Sequence, residues 1–147
     1  MRRAVVLAGC LLVAGVLRAA ETKEAPAVRF ETVKLLLNSG ETPLAAWQAE
    51  VRVESGDARI VGVEDGEHPA FRKPAYYDPA ARQGGRIILA AFSTAKDLPK
   101  GKTRVATLHF AVRGGETPRY SIRTDVAADA YGKPVPATAT LSKGDSE

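Results

Sequence analysis

The chain has 147 residues, 21 basic and 17 acidic side chains, a formal charge of +4 and 45% apolar residues, which suits one domain with an ordinary core. Setting aside Arg2, Arg3 and Arg18 at the apolar start leaves eighteen basic against seventeen acidic residues, with no cluster able to form a phosphate-binding stripe. That balance argues against nucleic acid as a partner, and the single Cys10 leaves the rest of the chain without disulfide or thiol chemistry.

The first element is "MRRAVVLAGCLLVAGVLRAAE", two arginines ahead of an uninterrupted apolar run from Ala4 to Leu17. As a helix the run would span only about 21 Å, short of the roughly 30 Å hydrocarbon core, and Arg18 stops it. It therefore reads as a secretory signal peptide over residues 1–20, with Ala19 and Ala20 at the cut, a mature start near Glu21 and no membrane span in the mature chain. Leu7-Ala8-Gly9-Cys10 offers the alternative of a lipoprotein. Only six apolar residues precede Cys10, however, and a comparable stretch follows it, so cleavage after residue 20 is the expectation. The product would be secreted or periplasmic.

Beyond the signal, apolar residues recur at every second position, the period of strands with one buried face. Val28 to Leu37 is the first predicted strand. "WQAEVRVE" is the clearest, with Trp47, Ala49, Val51 and Val53 on one side and Gln48, Glu50, Arg52 and Glu54 on the other. Ala58 to Val63 and Arg86 to Ser93 follow. "RVATLHFAVR" places Ala106, Leu108, Phe110 and Val112 on one face and Val105, Thr107, His109 and Ala111 behind. Tyr120 to Val126 and Val135 to Leu141 complete the set, the last flanked by Pro134 and Pro136 and so expected at a sheet edge. The connections "NSGETP", "SGD", "AKDLPKGK", "RGGETP" and "YGKP" are rich in turn residues. Short strands so spaced predict an all-β fold, an antiparallel β-sandwich over residues 21–142, with a polar tail at 143–147.

One connection is longer. "HPAFRKPAYYDPAARQGG", His68 to Gly85, holds three prolines and three aromatic rings. Asp78 is a suitable helix N-cap, Pro79 fits the first helical position, Ala80 to Gln83 can supply one turn and Gly84 can end it. Trp47, Phe30, Phe92 and Phe110 fall within strands and read as core. Tyr120 and Tyr131 admit either reading, which leaves Phe71, Tyr76 and Tyr77 as the aromatic cluster outside the predicted strands and the candidate ligand-binding residues, with a purely structural role for their rings as the competing expectation.

Catalytic signatures are lacking. His68 and His109 have no partner at metal-ligand spacing, so His68 reads as a loop residue and His109 as a strand residue on the less buried face. Glu64, Asp65 and Glu67 lack the alternating ligands of a calcium loop and read as a solvated turn. No serine sits in a Gly-x-Ser-x-Gly elbow, and no glycine-rich phosphate loop opens a helix. A non-enzymatic chain with neither cofactor nor metal is expected.

In "AAWQAEVRVESGDARIVGVEDGE", "RIILAAFST", "LPKGKTRVATLHFAVRGGETPRYSI" and "DAYGKPVPA", the order of strands and turns resembles the cohesin family, within the wider group of β-sandwiches that includes carbohydrate-binding modules. The resemblance covers most of Val28 to Leu141. It implies a jelly-roll-like sandwich of seven to nine strands acting as a binding module. Two departures matter: a single early strand serves where the family has two, and Tyr77-Asp78-Pro79 lies in the long connection, not after the third strand. The fold is therefore carried over, and a dockerin-binding surface is not. A secreted module that contacts another extracellular protein is the leading expectation, a polysaccharide-binding module the second, and an enzyme assembled only in space the third.

Overall fold

The computed structural model describes residues 24–144; the signal peptide expected at 1–20, Cys10 and the last three residues of the expected tail lie outside them. Seven strands form two antiparallel sheets: β1 (Val28–Asn38), β2 (Ala46–Ser55), β3 (Asp57–Glu64), β4 (Arg86–Phe92), β5 (Lys102–Arg113), β6 (Arg119–Ala128) and β7 (Thr138–Lys143). The order is β3-β5-β1-β7 in one sheet and β4-β2-β6 in the other. The predicted β-sandwich is the observed fold. Successive strands alternate between the sheets, so each connection crosses the sandwich and no strand pairs with its neighbour in sequence.

The inner faces meet along the predicted stripes. Trp47, Ala49 and Val51 of β2 and Ile87 and Leu89 of β4 pack against Val33, Leu35 and Leu37 of β1 and Leu108, Phe110 and Val112 of β5, all buried. Burial of these side chains is the main term holding the sheets together.

Three expectations about the core need correction. Val105, predicted behind the stripe, is buried beside Ala106. Leu35 pairs with Ala106 and Leu36 with Arg104, so Val105 is the extra residue of a β-bulge that reverses the alternation of β5 at that point. Phe30 and Phe92 are exposed. Both stand at even positions on strands whose inward residues are odd, Val33, Leu35 and Leu37 on β1 and Ile87 and Leu89 on β4, and strand parity turns them outward. The final strand also starts three residues later than predicted. Pro134 instead bridges Ala128, with Val135 N–H donating to Ala127 O at 2.9 Å, and β7 then takes the predicted edge beside β1.

The crossing from β2 to β3 is made at Gly56, where φ is +85° and an added Cβ would lie 3.1 Å from Pro118 Cα. Both backbone conformation and space therefore demand glycine. Gly56→Ala is expected to cost about 1–3 kcal/mol in urea denaturation, by analogy with other residues forced into positive φ; an unchanged midpoint would contradict the tightness of this corner.

The long connection is an ordered excursion. His68 Nδ1 accepts from Ala70 N–H at 3.2 Å, capping a 3₁₀ turn at Pro69–Phe71. Asp78 accepts from Ala80 N–H at 2.9 Å, capping a second turn at Pro79–Ala81 as its sequence suggested. That turn is shorter than predicted, and Gln83, at φ 69°, takes the left-handed conformation expected of Gly84. Between the two turns Tyr76 exchanges backbone hydrogen bonds with Ala90 of β4, at 2.7 and 3.0 Å. Farther on, Gln83 N–H donates to Ile60 O at 2.8 Å, and Ile60 N–H to Gly84 O at 3.1 Å. The excursion thus joins the outer edge of β4 in one sheet to the outer edge of β3 in the other. Edges that would offer unpaired backbone are partly satisfied this way.

Candidate functional site

The three predicted ligand-binding residues separate. Phe71 is only 2% exposed, its ring edge-on to Trp47 with centroids 6.5 Å apart and planes at 82°. The turn at Pro69–Phe71 drives it into the core, so it is an anchor of the excursion and not part of an accessible surface. Tyr77 is half-buried against the core. Tyr76 is 70% exposed, because its pairing with Ala90 places it on the outer face of the three-stranded sheet.

That outer face is built by register. Ala46 lies opposite Phe92 and Ala128, Gln48 opposite Ala90 and Val126, Glu50 opposite Ile88 and Arg123, and Arg52 opposite Arg86 and Ser121. The face therefore divides along the strands. At one end stand Tyr76, Phe92, Val126 and the alanines; at the other, Glu50 and three arginines. Phe92 is 66% exposed, its ring nearly parallel to that of Tyr76, at 13° with centroids 6.4 Å apart. Along β4 the excursion forms one wall of an open groove of about 580 Å³, lined by Tyr76, Tyr77, Asp78, Arg86, Ile88 and Ala90.

The charged end turns on one carboxylate. Glu50 is buried and accepts from Arg52 Nε and from Arg86 Nε and Nη2, the latter two at 3.0 and 2.5 Å. Arg123 Nη2 lies 3.8 Å from the same carboxylate, while its Nε donates to Asp125 at 2.7 Å. Hydrogen bonds from Arg52 and then Arg86 hold the Glu50 carboxyl at about 2 against an ordinary 4.5. A carboxyl depressed in the folded state stabilises fully above its unfolded value, and that contribution disappears as pH falls from about 4.5 towards 2. Glu50→Gln is therefore expected to flatten the acid limb of the stability curve across that interval, read by thermal melts at successive pH values. An acid limb identical to that of the parent would refute the ion cluster.

Phe92 and the arginines were missed as site residues, yet their signal was present. The polar positions of "WQAEVRVE" already grouped Glu50 and Arg52, and the parity of "RIILAAF" places Phe92 opposite Ile87 and Leu89. What required the structure was the register that lays Arg86 and Arg123 beside them. Comparison with protein-family models, curated proteins and solved structures finds no match.

The remaining polar candidates are dispersed. Glu67 Oε1 accepts from Arg104 N–H at 2.7 Å, Asp65 offers its backbone oxygen to Arg104 Nη1 at 2.7 Å, and Glu64 Oε1 lies 3.0 Å from His109 Nε2. His109 Nδ1 in turn faces Thr32 Oγ1 at 3.4 Å, across the outer side of the four-stranded sheet. These contacts tie β1, β3 and β5 together. Among the described residues, no three His, Cys, Asp or Glu side chains cluster to hold a metal ion, and no helix is long and apolar enough to cross a membrane.

Proposed function

We propose that this chain is a non-catalytic binding module, cohesin-like and jelly-roll-like in design, that acts outside the cytoplasm after removal of its signal peptide and docks another protein. The observation that carries this reading is the outer face of the β4-β2-β6 sheet, where Tyr76, Phe92 and Val126 are exposed together beside Arg52, Arg86 and Arg123. Large apolar side chains scattered singly on a surface need no explanation, but aromatic residues grouped with arginines have the composition of interface hot spots. The resemblance of strands and turns to cohesins is in keeping with such a role. In capture from the native secretome, the parent chain is expected to retain a partner that a Tyr76→Ala, Phe92→Ala double variant releases. Equal retention by both would sink this use of the face.

A second reading, polysaccharide binding, is favoured by the groove in which Tyr76 and Tyr77 stand above Ile88 and Ala90, because tyrosine rings stack on sugar faces. Saturable quenching of tyrosine fluorescence by a glycan, abolished in Tyr76→Ala, would transfer the function to this reading.

A further inference from the structure

Two open sheets leave four outer strands, β3, β7, β4 and β6, and three of these are guarded. The edges of β3 and β4 take backbone bonds from the excursion, through Gln83 and Gly84 to Ile60 and through Tyr76 to Ala90. β6 is closed at one end by Pro134 and Val135. Along the rest it carries Arg119, Arg123 and Asp125, the last being the extra residue of a bulge between Thr124 and Val126. Charges and bulges are the usual devices that keep an edge from pairing with another chain. β7 has no bulge. Its residues Thr138–Lys143 hold one unbroken register against β1, include no proline and carry no charge before Lys143.

The unpaired groups of β7 follow from that register. Gly144 N–H donates to Thr32 O at 2.7 Å, so Ser142, Thr140 and Thr138, at alternate positions before it, turn their backbone groups towards β1. Ala139, Leu141 and Lys143 direct N–H and C=O away from β1, and no backbone group among the described residues bonds them. Ala139 and Leu141 are half-buried against the core, and Leu141 and Lys143 border an open groove of about 360 Å³ with Val33, Pro118, Arg119 and Tyr120. Thr138, Thr140 and Ser142 are exposed on the outer side.

We infer that this edge pairs with β7 of a second copy of the chain, antiparallel about a two-fold axis at Leu141. The side chains select that occupant. Leu141 then faces Leu141 of the partner subunit and Ala139 faces the partner subunit's Lys143, an arrangement that forms about six backbone hydrogen bonds. Thr140 stands opposite Ser142 of the partner subunit, a hydroxyl pair of the kind that stabilises sheets. The two copies of Lys143 end about 14 Å apart, so the one charge on the strand is not set against itself. The groove beside Tyr120 receives the partner subunit's Leu141 and shields the half-buried residues of the seam. This contact does not use the outer face of the β4-β2-β6 sheet, so it stands apart from the docking proposed for that face.

The test is sedimentation of the full chain from about 1 to about 500 µM, the range suited to an interface below standard size. The parent is expected to pass from monomer to dimer within it. Thr140→Glu, Ser142→Glu should raise the dissociation constant about tenfold or more, because carboxylates then meet across the axis. The monomer tolerates both changes, since Thr140 and Ser142 are exposed and Ser142 lies opposite Lys34 on β1; thermal melts of dilute samples check this. Thr140→Lys, Ser142→Glu reverses one sign, sets opposite charges across the axis twice, and should lower the dissociation constant about tenfold. A parent that stays monomeric throughout would overturn the inference, and release of a secretome partner by Thr140→Glu, Ser142→Glu would in that case give the edge to a foreign strand. A dimer indifferent to both charge variants, or weakened alike by both, would overturn it too. One lost only in Tyr76→Ala, Phe92→Ala belongs to the outer face and not to β7.

Discussion

Phe71→Ala is expected to destabilise the domain by about 3–5 kcal/mol, the usual range for deleting a buried phenylalanine ring. Against a total stability of about 5–15 kcal/mol for a domain, that is a large fraction. The ring sits edge-on to Trp47 at the start of the β2 stripe, and the excursion has few other buried side chains to hold it; Ala75 is one. The loss should appear as a lower urea midpoint, accompanied by faster tryptic cleavage after the exposed Arg72 and Arg82. Both follow from the same cavity: once Phe71 is gone, the chain from His68 to Gly85 keeps its backbone bonds to Ala90 and Ile60 but loses its apolar anchor. A variant as stable as the parent but defective in binding would return Phe71 to the surface set.

The Tyr76→Ala, Phe92→Ala double variant should behave in the opposite way. Its stability is expected to stay within about 1 kcal/mol of the parent, because both rings are largely exposed and alanine at 76 retains the backbone pair with Ala90. Partner affinity, by contrast, should fall at least about thirtyfold, the loss that corresponds to the roughly 2 kcal/mol marking a hot spot. Measured side by side, melting temperature and dissociation constant separate the two aromatic sets. Phe71 acts on the first and Tyr76 with Phe92 on the second.

The sandwich was legible in the sequence because its strands obey a period of two, and Trp47, Ala49, Val51, Leu108, Phe110 and Val112 fall where that period puts them. It failed where pairing and not period decides. Val105 is buried because one extra residue is accommodated opposite Leu35, and a bulge has no local sequence mark here. Phe30 and Phe92 were misplaced by residue type, since hydrophobicity outweighed parity in their assignment to the core. Of the candidate site, Tyr76 was legible from its residue type and its place in the long connection outside the predicted strands. The arginine cluster was not, because Glu50, Arg86 and Arg123 are far apart in the chain and meet only through the registers of β2 with β4 and β6.

The alternation of strands between the sheets also governs how the chain acquires its structure. β1 pairs with β5 and β7, β2 with β4 and β6, and none can close a local hairpin with the strand that follows it. As the polypeptide lengthens from its N-terminus, β1 has no native partner until β5 exists, by which point three-quarters of the sequence has been made. Long loops must be closed before any ladder rewards the closure, which sets folding in the slow range of milliseconds to seconds typical of sandwiches rich in distant contacts. A nascent chain of this topology has no native ladder to form until β4 follows β2, the condition in which a polypeptide can be threaded through a narrow passage before it folds.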